Sequence, residues 1–476
     1  MRHVVRIGAA LATLAIVAVA ARAHAATPCA ELVAAHLPHA QVTSAADAPA
    51  GGFTACKIDV VAAPTADSAI GIEVWIPEGA AWNGRYLQLG NGGFAGAIFS
   101  QRLAALAGQG YAVAMTDDGH KAQGFNPDAS WAIGHPEKVR DFGWRALKET
   151  TVDARALIAA LQGARPRYAY FDGCSDGGRE ALMEAQRFPY DFDGVVAGAP
   201  AYNFSGLLTL GAYDMQALNA PGAWLGPPQL EALEAAALAD CGGSAFIAAP
   251  AACHFDPDDA ACASGVRPPA CLSPAQVEAA RAVYRGITVT GGGDARLAYP
   301  GYSPGAEAEP GGWSAWLTGS SRDQRDLALI HGFATGFWGG FVYGDPNFNV
   351  LALDLQRAPV DAARVAAEVN ALDPDLAPFR DHGGKLIQFH GWNDPAIPAR
   401  GSIAYAEAVH ALLGDTSGFY RLYLVPGMLH CGGGPGPSGV DWLATLRAWV
   451  EDGKAPGDLV AHAPSGATQT LRPWTP

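Results

Sequence analysis

The chain has 476 residues, 50% of them hydrophobic and 16% charged, which excludes a disordered or fibrous protein and leaves room for one large domain with an insertion. Its formal charge of −15 argues against a nucleic-acid partner. The 8 cysteines all lie beyond residue 25, an even number that suits a disulfide set in an oxidising compartment.

The first 25 residues read as an export leader. Arg2 and Arg6 precede an apolar run over 7–21, and Ala23-His24-Ala25 is a small-x-small cleavage site. That run is shorter than the roughly 20 residues a membrane-spanning helix needs. The expectation is an exported chain, periplasmic or extracellular, with no membrane contact after cleavage. Strand-like and helix-like segments then alternate, the pattern of a mostly parallel sheet covered by helices. Strands are predicted over 70–76, 85–89 and 111–115, a helix over 151–161, a strand over 168–171, a helix over 177–188 and a buried strand over 194–197. After Pro200 strand signals fade, Gly, Pro, Ala and aromatic residues dominate, and four cysteines cluster between Cys241 and Cys271. Strand character returns over 385–389 and 420–425, and a helix is predicted over 440–450. The expected organisation is an α/β domain over 26–205 and 376–476, interrupted by a disulfide-stapled insertion over 206–375.

The 168–171 strand delivers Gly173-Cys174-Ser175-Asp176-Gly177. This satisfies G-x-S-x-G, the sharp strand-to-helix turn that presents a serine hydroxyl above an α/β-hydrolase sheet. In a chain with 58 glycines the motif alone is weak, so its context decides. A serine hydroxyl needs an imidazole to take its proton, and the imidazole needs an acid to fix its tautomer. The chain order in this fold is Ser, then Asp or Glu, then His. Asp394, in His390-Gly391-Trp392-Asn393-Asp394-Pro395 after one predicted strand, and His430, after the next, complete that order. Two competing readings are a turn-forming Asp394 and a base at His390, which precedes the acid candidate and ends a buried strand.

Acyl transfer also needs donors for an oxyanion. Asp176 follows the serine, and Gly90-Asn91-Gly92-Gly93-Phe94 is a Gly-rich loop directly after a strand. No G-x-G-x-x-G in a strand-helix-strand context supports a dinucleotide site. The absence of a C-x-x-C pair, with no suitably spaced histidine for His254, speaks against zinc. The serine and histidine candidates each adjoin a cysteine, Cys174 and Cys431, and a disulfide there would tie nucleophile to base. A redox thiol at Cys174 is the alternative. Cys241 to Cys253 and Cys262 to Cys271 are short candidate loops among many possible pairings.

At these residues the sequence resembles the tannase and feruloyl esterase family, which includes mono(2-hydroxyethyl) terephthalate hydrolase. The resemblance is carried by Phe171-Asp172-Gly173-Cys174-Ser175-Asp176-Gly177-Gly178-Arg179-Glu180, by Arg187-Phe188-Pro189 with Gly194-Val195-Val196-Ala197-Gly198-Ala199-Pro200, by Gly383-Gly384-Lys385-Leu386-Ile387 through Asp394, and by Val425-Pro426-Gly427-Met428-Leu429-His430-Cys431-Gly432-Gly433-Gly434-Pro435-Gly436. It implies an α/β-hydrolase fold with a lid domain over the site. It implies a serine esterase that cleaves aromatic carboxylic acid esters, feruloyl, galloyl or similar, through a seryl acyl-enzyme. Ser175, Asp394 and His430 would be the triad, and the backbone of Asp176 and Gly93 the oxyanion hole. The implied disulfides are Cys174 with Cys431, Cys29 with Cys56, Cys241 with Cys253, and Cys262 with Cys271.

One departure concerns calcium, which many family lids bind through an Asp-rich loop after the cysteine matching Cys241. Here the loop over 242–250 has no carboxylate, so that site is expected to be lost and no cofactor is expected. Asp256, Asp258 and Asp259 read as a solvated acidic turn. Trp313, Trp316, Phe333, Phe337, Trp338, Phe341 and Tyr343 are candidates to face an aromatic acyl group or to pack the lid's own core. The alternatives are a general carboxylesterase, a terephthalate-monoester hydrolase, and a non-catalytic binding protein on a hydrolase scaffold.

Overall fold

In the computed structural model, which describes residues 26–122, 127–266, 268–291 and 296–476, nine strands join in one mixed sheet. The predicted export leader, residues 1–25, lies outside the described residues. In chain order, the nine strands and the two of a separate hairpin, β8 and β9, are β1 (Ala40–Ala50), β2 (Phe53–Ala62), β3 (Ile70–Pro77), β4 (Arg85–Leu89), β5 (Ala112–Thr116), β6 (Tyr168–Cys174), β7 (Gly194–Gly198), β8 (Gly286–Thr290), β9 (Arg296–Pro300), β10 (Lys385–Gly391) and β11 (Tyr420–Val425), and a further ladder pairs Leu459–His462 with Thr468–Leu471. Across the sheet they run β1-β2-β3-β5-β4-β6-β7-β10-β11. Pairing is antiparallel from β1 to β5 and parallel from β5 to β11.

Parallel strands covered on both faces read as continuous apolar runs. All five residues of β5 and all five of β7 are buried, and those runs are what made them legible. β1 and β2 were not predicted. β1 is Ala-Gln-Val-Thr-Ser-Ala-Ala-Asp-Ala-Pro-Ala, mostly exposed and poor in strand-forming residues, and its ladder with β2 makes it a strand. Nor do strands vanish after Pro200, because β8 and β9 form a separate antiparallel hairpin whose short alternating segments gave little sequence signal.

Helices Ala146–Gln162, Asp176–Arg187 and Arg400–Leu413 contribute to the core on one face of the sheet. Ser100–Ala107 and Trp442–Asp452 contribute to the core on the other. Leu147, Ala154, Leu157, Ile158 and Leu161 give the first of these its buried stripe, and Gly163 at φ +66° ends it in a left-handed cap.

Between β7 and β10 the chain leaves the sheet and builds a second core from helices Phe204–Leu218, Pro227–Asp240, Pro274–Arg285 and Leu329–Gly336. Phe94, Ala129 and Phe142 of the first half join that core, so it seats directly on the sheet domain. Four disulfides form: Cys29–Cys56, Cys174–Cys431, Cys241–Cys253 and Cys262–Cys271. They suit an oxidising compartment. No described helix is long and apolar enough to cross a membrane.

Candidate active site

The carboxyl ends of β4, β6, β7, β10 and β11 share one edge of the sheet, where open α/β sheets gather their functional loops. After Cys174 the chain reverses at Ser175, with φ +68° and ψ −122°, and enters the helix Asp176–Arg187. A serine in that region is strained and must be held by its surroundings. The Ser175 N–H donates to the Gly198 carbonyl at 2.9 Å, and the Ala201 N–H donates to the Ser175 carbonyl at 3.1 Å. Close approach requires glycine at two positions of the helix start. A Cβ on Gly177 would sit 2.7 Å from the Asn91 carbonyl oxygen, and one on Gly178 would sit 2.9 Å from Pro200 Cα.

His430 stands in the loop after β11. The Ser175 hydroxyl donates to its Nε2 at 2.9 Å, and its Nδ1–H donates to Asp394 Oδ2 at 2.7 Å. Asp394 Oδ1 accepts the backbone N–H groups of Ala396 at 2.8 Å and Ile397 at 2.9 Å. Burial alone would raise the Asp394 pKa, but the facing His430 and the hydrogen bonds of His390 and His430 outweigh it and hold the carboxyl well below the usual carboxylate range. Asp394 is therefore an ionised acceptor. It fixes the imidazole tautomer that leaves Nε2 free to accept a proton.

His390, the competing base, is fully buried and lies behind Asp394 instead of facing Ser175. Its Nε2–H donates to the Ile397 carbonyl at 2.9 Å, with Asp394 Oδ2 3.3 Å away, and the Ser402 hydroxyl donates to its Nδ1 at 2.7 Å. The histidine braces the acid and the turn after it. His390→Ala strands the Ile397 carbonyl and the Ser402 hydroxyl in a buried space, and denaturant unfolding is expected to show a loss of about 2 kcal/mol or more. A loss below about 0.5 kcal/mol would contradict the brace.

Ser175 opens on a cavity of about 40 Å³, whose lining includes Gly93, Phe94, Asp176, Phe204, Leu208, Trp316, Ile330 and Phe333. The Asp176 carboxylate accepts Arg179 Nε at 2.5 Å and Nη2 at 3.0 Å, so what Asp176 offers at the helix start is its backbone N–H. Gly93 belongs to the loop after β4 and adopts φ +63°. Asn91 anchors that loop: its side-chain amide donates to Thr116 and Ala97 carbonyls at 2.9 and 3.1 Å, and its own carbonyl accepts from Gly177 N–H at 3.0 Å. Of the seven aromatics singled out in the insertion, Trp316 and Phe333 line the cavity, and Trp316 meets His430 edge to face at 5.1 Å. Trp313, Phe337, Trp338 and Phe341 are buried in the second core, while Tyr343 is exposed and donates to Asp361 at 2.8 Å.

The Cys174–Cys431 bond joins the residue before Ser175 to the residue after His430, with Cα atoms 6.0 Å apart. Cys431 itself has φ +61°, so the bridge ties two turns of unusual backbone conformation. No free cysteine exists among the described residues, which removes the redox thiol at Cys174. In the insertion, the loop over 242–250, the place of a family-type calcium site, offers no carboxylate, and Asp256 and Asp258 pair with Arg281 at 2.9 and 2.8 Å.

A Ser-His-Asp hydrogen-bond chain at the carboxyl edge of a mixed α/β sheet defines a class of hydrolase, and the comparisons narrow it. Residues 56–473 match the sequence model of the tannase and feruloyl esterase family. An uncharacterized esterase of Xanthomonas campestris pv. campestris is 38% identical over 97% of this chain and 87% of its own length. The mono(2-hydroxyethyl) terephthalate hydrolase of Piscinibacter sakaiensis is 31% identical over 83% of this chain and 76% of its own. The crystal structure of feruloyl esterase B from Aspergillus oryzae superimposes with a TM-score of 0.84 at 26% identity, covering 94% of this chain and 95% of that one. The chain belongs to the tannase and feruloyl esterase family, and it is a carboxylic ester hydrolase.

Proposed function

We propose that the protein is an exported serine esterase of α/β-hydrolase fold that cleaves aromatic carboxylic acid esters of hydroxycinnamoyl type through a seryl acyl-enzyme. The catalytic domain comprises 26–205 and 376–476, and the 206–375 insertion is the lid. The observation that carries this reading is the unbroken chain Asp394–His430–Ser175 facing an apolar cavity beside Gly93 and Asp176. As Ser175 Oγ attacks the ester carbonyl, His430 Nε2 takes its proton, and the oxyanion meets the backbone N–H groups of Asp176 and Gly93. The tetrahedral intermediate collapses, the departing alkoxide takes the proton from His430, and the acyl group stays on Ser175. Water then gives a proton to Nε2 and attacks. The second collapse releases the acid and returns the proton to Ser175. Asp394 stays ionised throughout, and the cycle uses no cofactor.

The cavity also speaks to the acyl group. Its 40 Å³ is small beside an aryl group, so a ring enters only as the lining side chains around Ser175 shift. None of its described lining residues is cationic. A ring bearing a free carboxylate would be buried there without a partner, at a cost of several kcal/mol. Relatives named feruloyl esterase support a neutral ring, and the relative named mono(2-hydroxyethyl) terephthalate hydrolase supports the second reading, a terephthalate monoester. A panel of methyl ferulate, methyl gallate, a terephthalate monoester and an aliphatic ester separates them. The ferulate is expected to exceed the terephthalate monoester in kcat/KM by about 100-fold, the equivalent of roughly 3 kcal/mol. The reverse order would overturn the neutral-ring assignment, and a faster aliphatic ester would make the protein a general carboxylesterase.

A further inference from the structure

A second group of buried acids lies under the loop that carries Gly93. Asp118, in the turn just after β5, is fully buried with φ +57°, and Glu180 is fully buried on the helix that starts after Ser175. Oxygens of Asp118, Glu180 and Asp176 lie within 4.8 Å of one another. Arg179 is the cation in this cluster, but each of its five N–H groups has its own acceptor. Nε and Nη2 donate to the Asp176 carboxylate, Nη1 donates to the Gly143 and Val369 carbonyls, and Nη2 also donates to the Phe142 carbonyl. Nothing is left for the other two carboxyls. Glu180 Oε2 accepts the Asn91 N–H at 2.8 Å, while Glu180 Oε1 and both oxygens of Asp118 face no donor among the described residues.

Two ionised carboxylates at that separation, buried and with the single Asn91 N–H as donor between them, would carry an uncompensated charge pair. A single proton between them turns the repulsion into a hydrogen bond. We propose that Asp118 and Glu180 hold one proton between them and act as positioning residues that clamp the Gly90–Gly93 loop onto the turn carrying Ser175. The clamp works through Asn91, whose N–H is fixed by Glu180 and whose carbonyl is fixed by Gly177, two residues from the serine. Loss of the shared proton restores the repulsion, and the N–H of Gly93 loses its aim at the oxyanion.

The surrounding charges leave the pair to titrate as a unit. On the β5 side, Asp117 accepts the N–H groups of Gly71 and Gly119 at 2.8 and 2.9 Å, and His120 stacks on Trp131 at 3.8 Å. On the helix side are Asp176 with Arg179, and Glu184 one turn on. From the 141–145 turn, Asp141 is paired with Arg145. Burial first, and the neighbouring carboxyls next, raise Asp118, and burial followed by Asp176 raises Glu180. With both carboxyls raised, Glu180 to about 7, the pair retains a proton at pH values where free carboxyls are ionised and loses it as the pH rises.

The inference rests on the serine-esterase reading, and its test is separable from that reading. The kcat of the wild type, followed from pH 6 to 10 with background hydrolysis subtracted, is expected to fall on the alkaline side by about tenfold per pH unit once the proton leaves, with KM little changed. Glu180→Gln supplies a permanent donor to Asp118 and still accepts the Asn91 N–H. Asp118→Asn supplies a permanent donor to Glu180, and asparagine tolerates the left-handed backbone. Either variant is expected to abolish the alkaline fall, whereas Glu180→Ala lowers kcat at every pH. A purely structural role would not move the pH profile. An alkaline limb that persists unchanged in both amide variants, or one absent from the wild type, overturns the clamp. Fluorophosphonate labelling run alongside reports on Ser175 independently: labelled enzyme with an unmoved limb sinks the clamp alone, and unlabelled but active enzyme sinks the serine reading.

Discussion

Ser175→Ala is expected to lower kcat/KM on a ferulate ester by about ten-thousandfold or more while leaving the fold intact. Among the described residues that line the cavity, the Ser175 hydroxyl is the one that donates to an imidazole, with His430 Nε2 at 2.9 Å. Its removal leaves the oxyanion donors and the apolar pocket, which still bind substrate, so KM is expected to change little. Circular dichroism and thermal unfolding of the variant should match the parent, because the backbone at Ser175 is held by Gly198 and Ala201 and not by the hydroxyl. Asp394→Asn is expected to fall in the same range, since an amide there favours the wrong imidazole tautomer. Retention of more than about a tenth of the activity in Ser175→Ala would mean that another group attacks the ester.

The second large effect belongs to the bridge. Breaking Cys174–Cys431, by Cys174→Ala with Cys431→Ala, is expected to lower kcat by about 10 to 100-fold with a much smaller change in KM. Ser175 and His430 arrive from distant parts of the sequence, and the bridge closes a separation of 257 residues. Their hydrogen bond must hold to a few tenths of an ångström, and each residue sits beside a cysteine fixed in that bond. The acyl pocket is built largely from Phe94, Phe204, Ile330 and Phe333, none of which depends on the bridge for its position. Opening so long a loop also removes about 5 kcal/mol of stabilisation in the chain-entropy view. Activity should therefore be compared at a temperature well below the unfolding midpoint of the double variant. Unchanged kcat in a folded double variant would make the bridge a stability device alone.

The elements of this site differ in how far the sequence could reveal them. Ser175, Asp394 and His430 were legible because a strand-to-helix serine motif, a strand-end aspartate and a loop histidine follow a fixed order along the chain. β5 and β7 were legible because two-sided burial demands unbroken apolar runs, whereas β1 and β2 owe their extended form to pairing with each other. Trp316 and Phe333 could not be picked from seven aromatics, since the same side chains serve a core and a pocket equally well. His390 carried the chemistry of a base, and only the Ser402 hydroxyl and the Ile397 carbonyl, supplied by the following turn and helix, make it a brace. Glu180, although it closes the stretch that carries the family resemblance, and Asp118 gave no sign of a shared role. Each is an ordinary acid in the sequence, and their meaning comes from the exhaustion of Arg179's donors in the folded chain.

The most direct measurement is intact-mass and peptide analysis after treatment with a fluorophosphonate ester, under non-reducing conditions. One label per chain is expected, placed on Ser175 in a peptide still linked through Cys174 to the peptide bearing His430-Cys431, and no label in Ser175→Ala. A label on another residue, or continued ester hydrolysis by fully treated but unlabelled protein, would contradict Ser175 as the nucleophile.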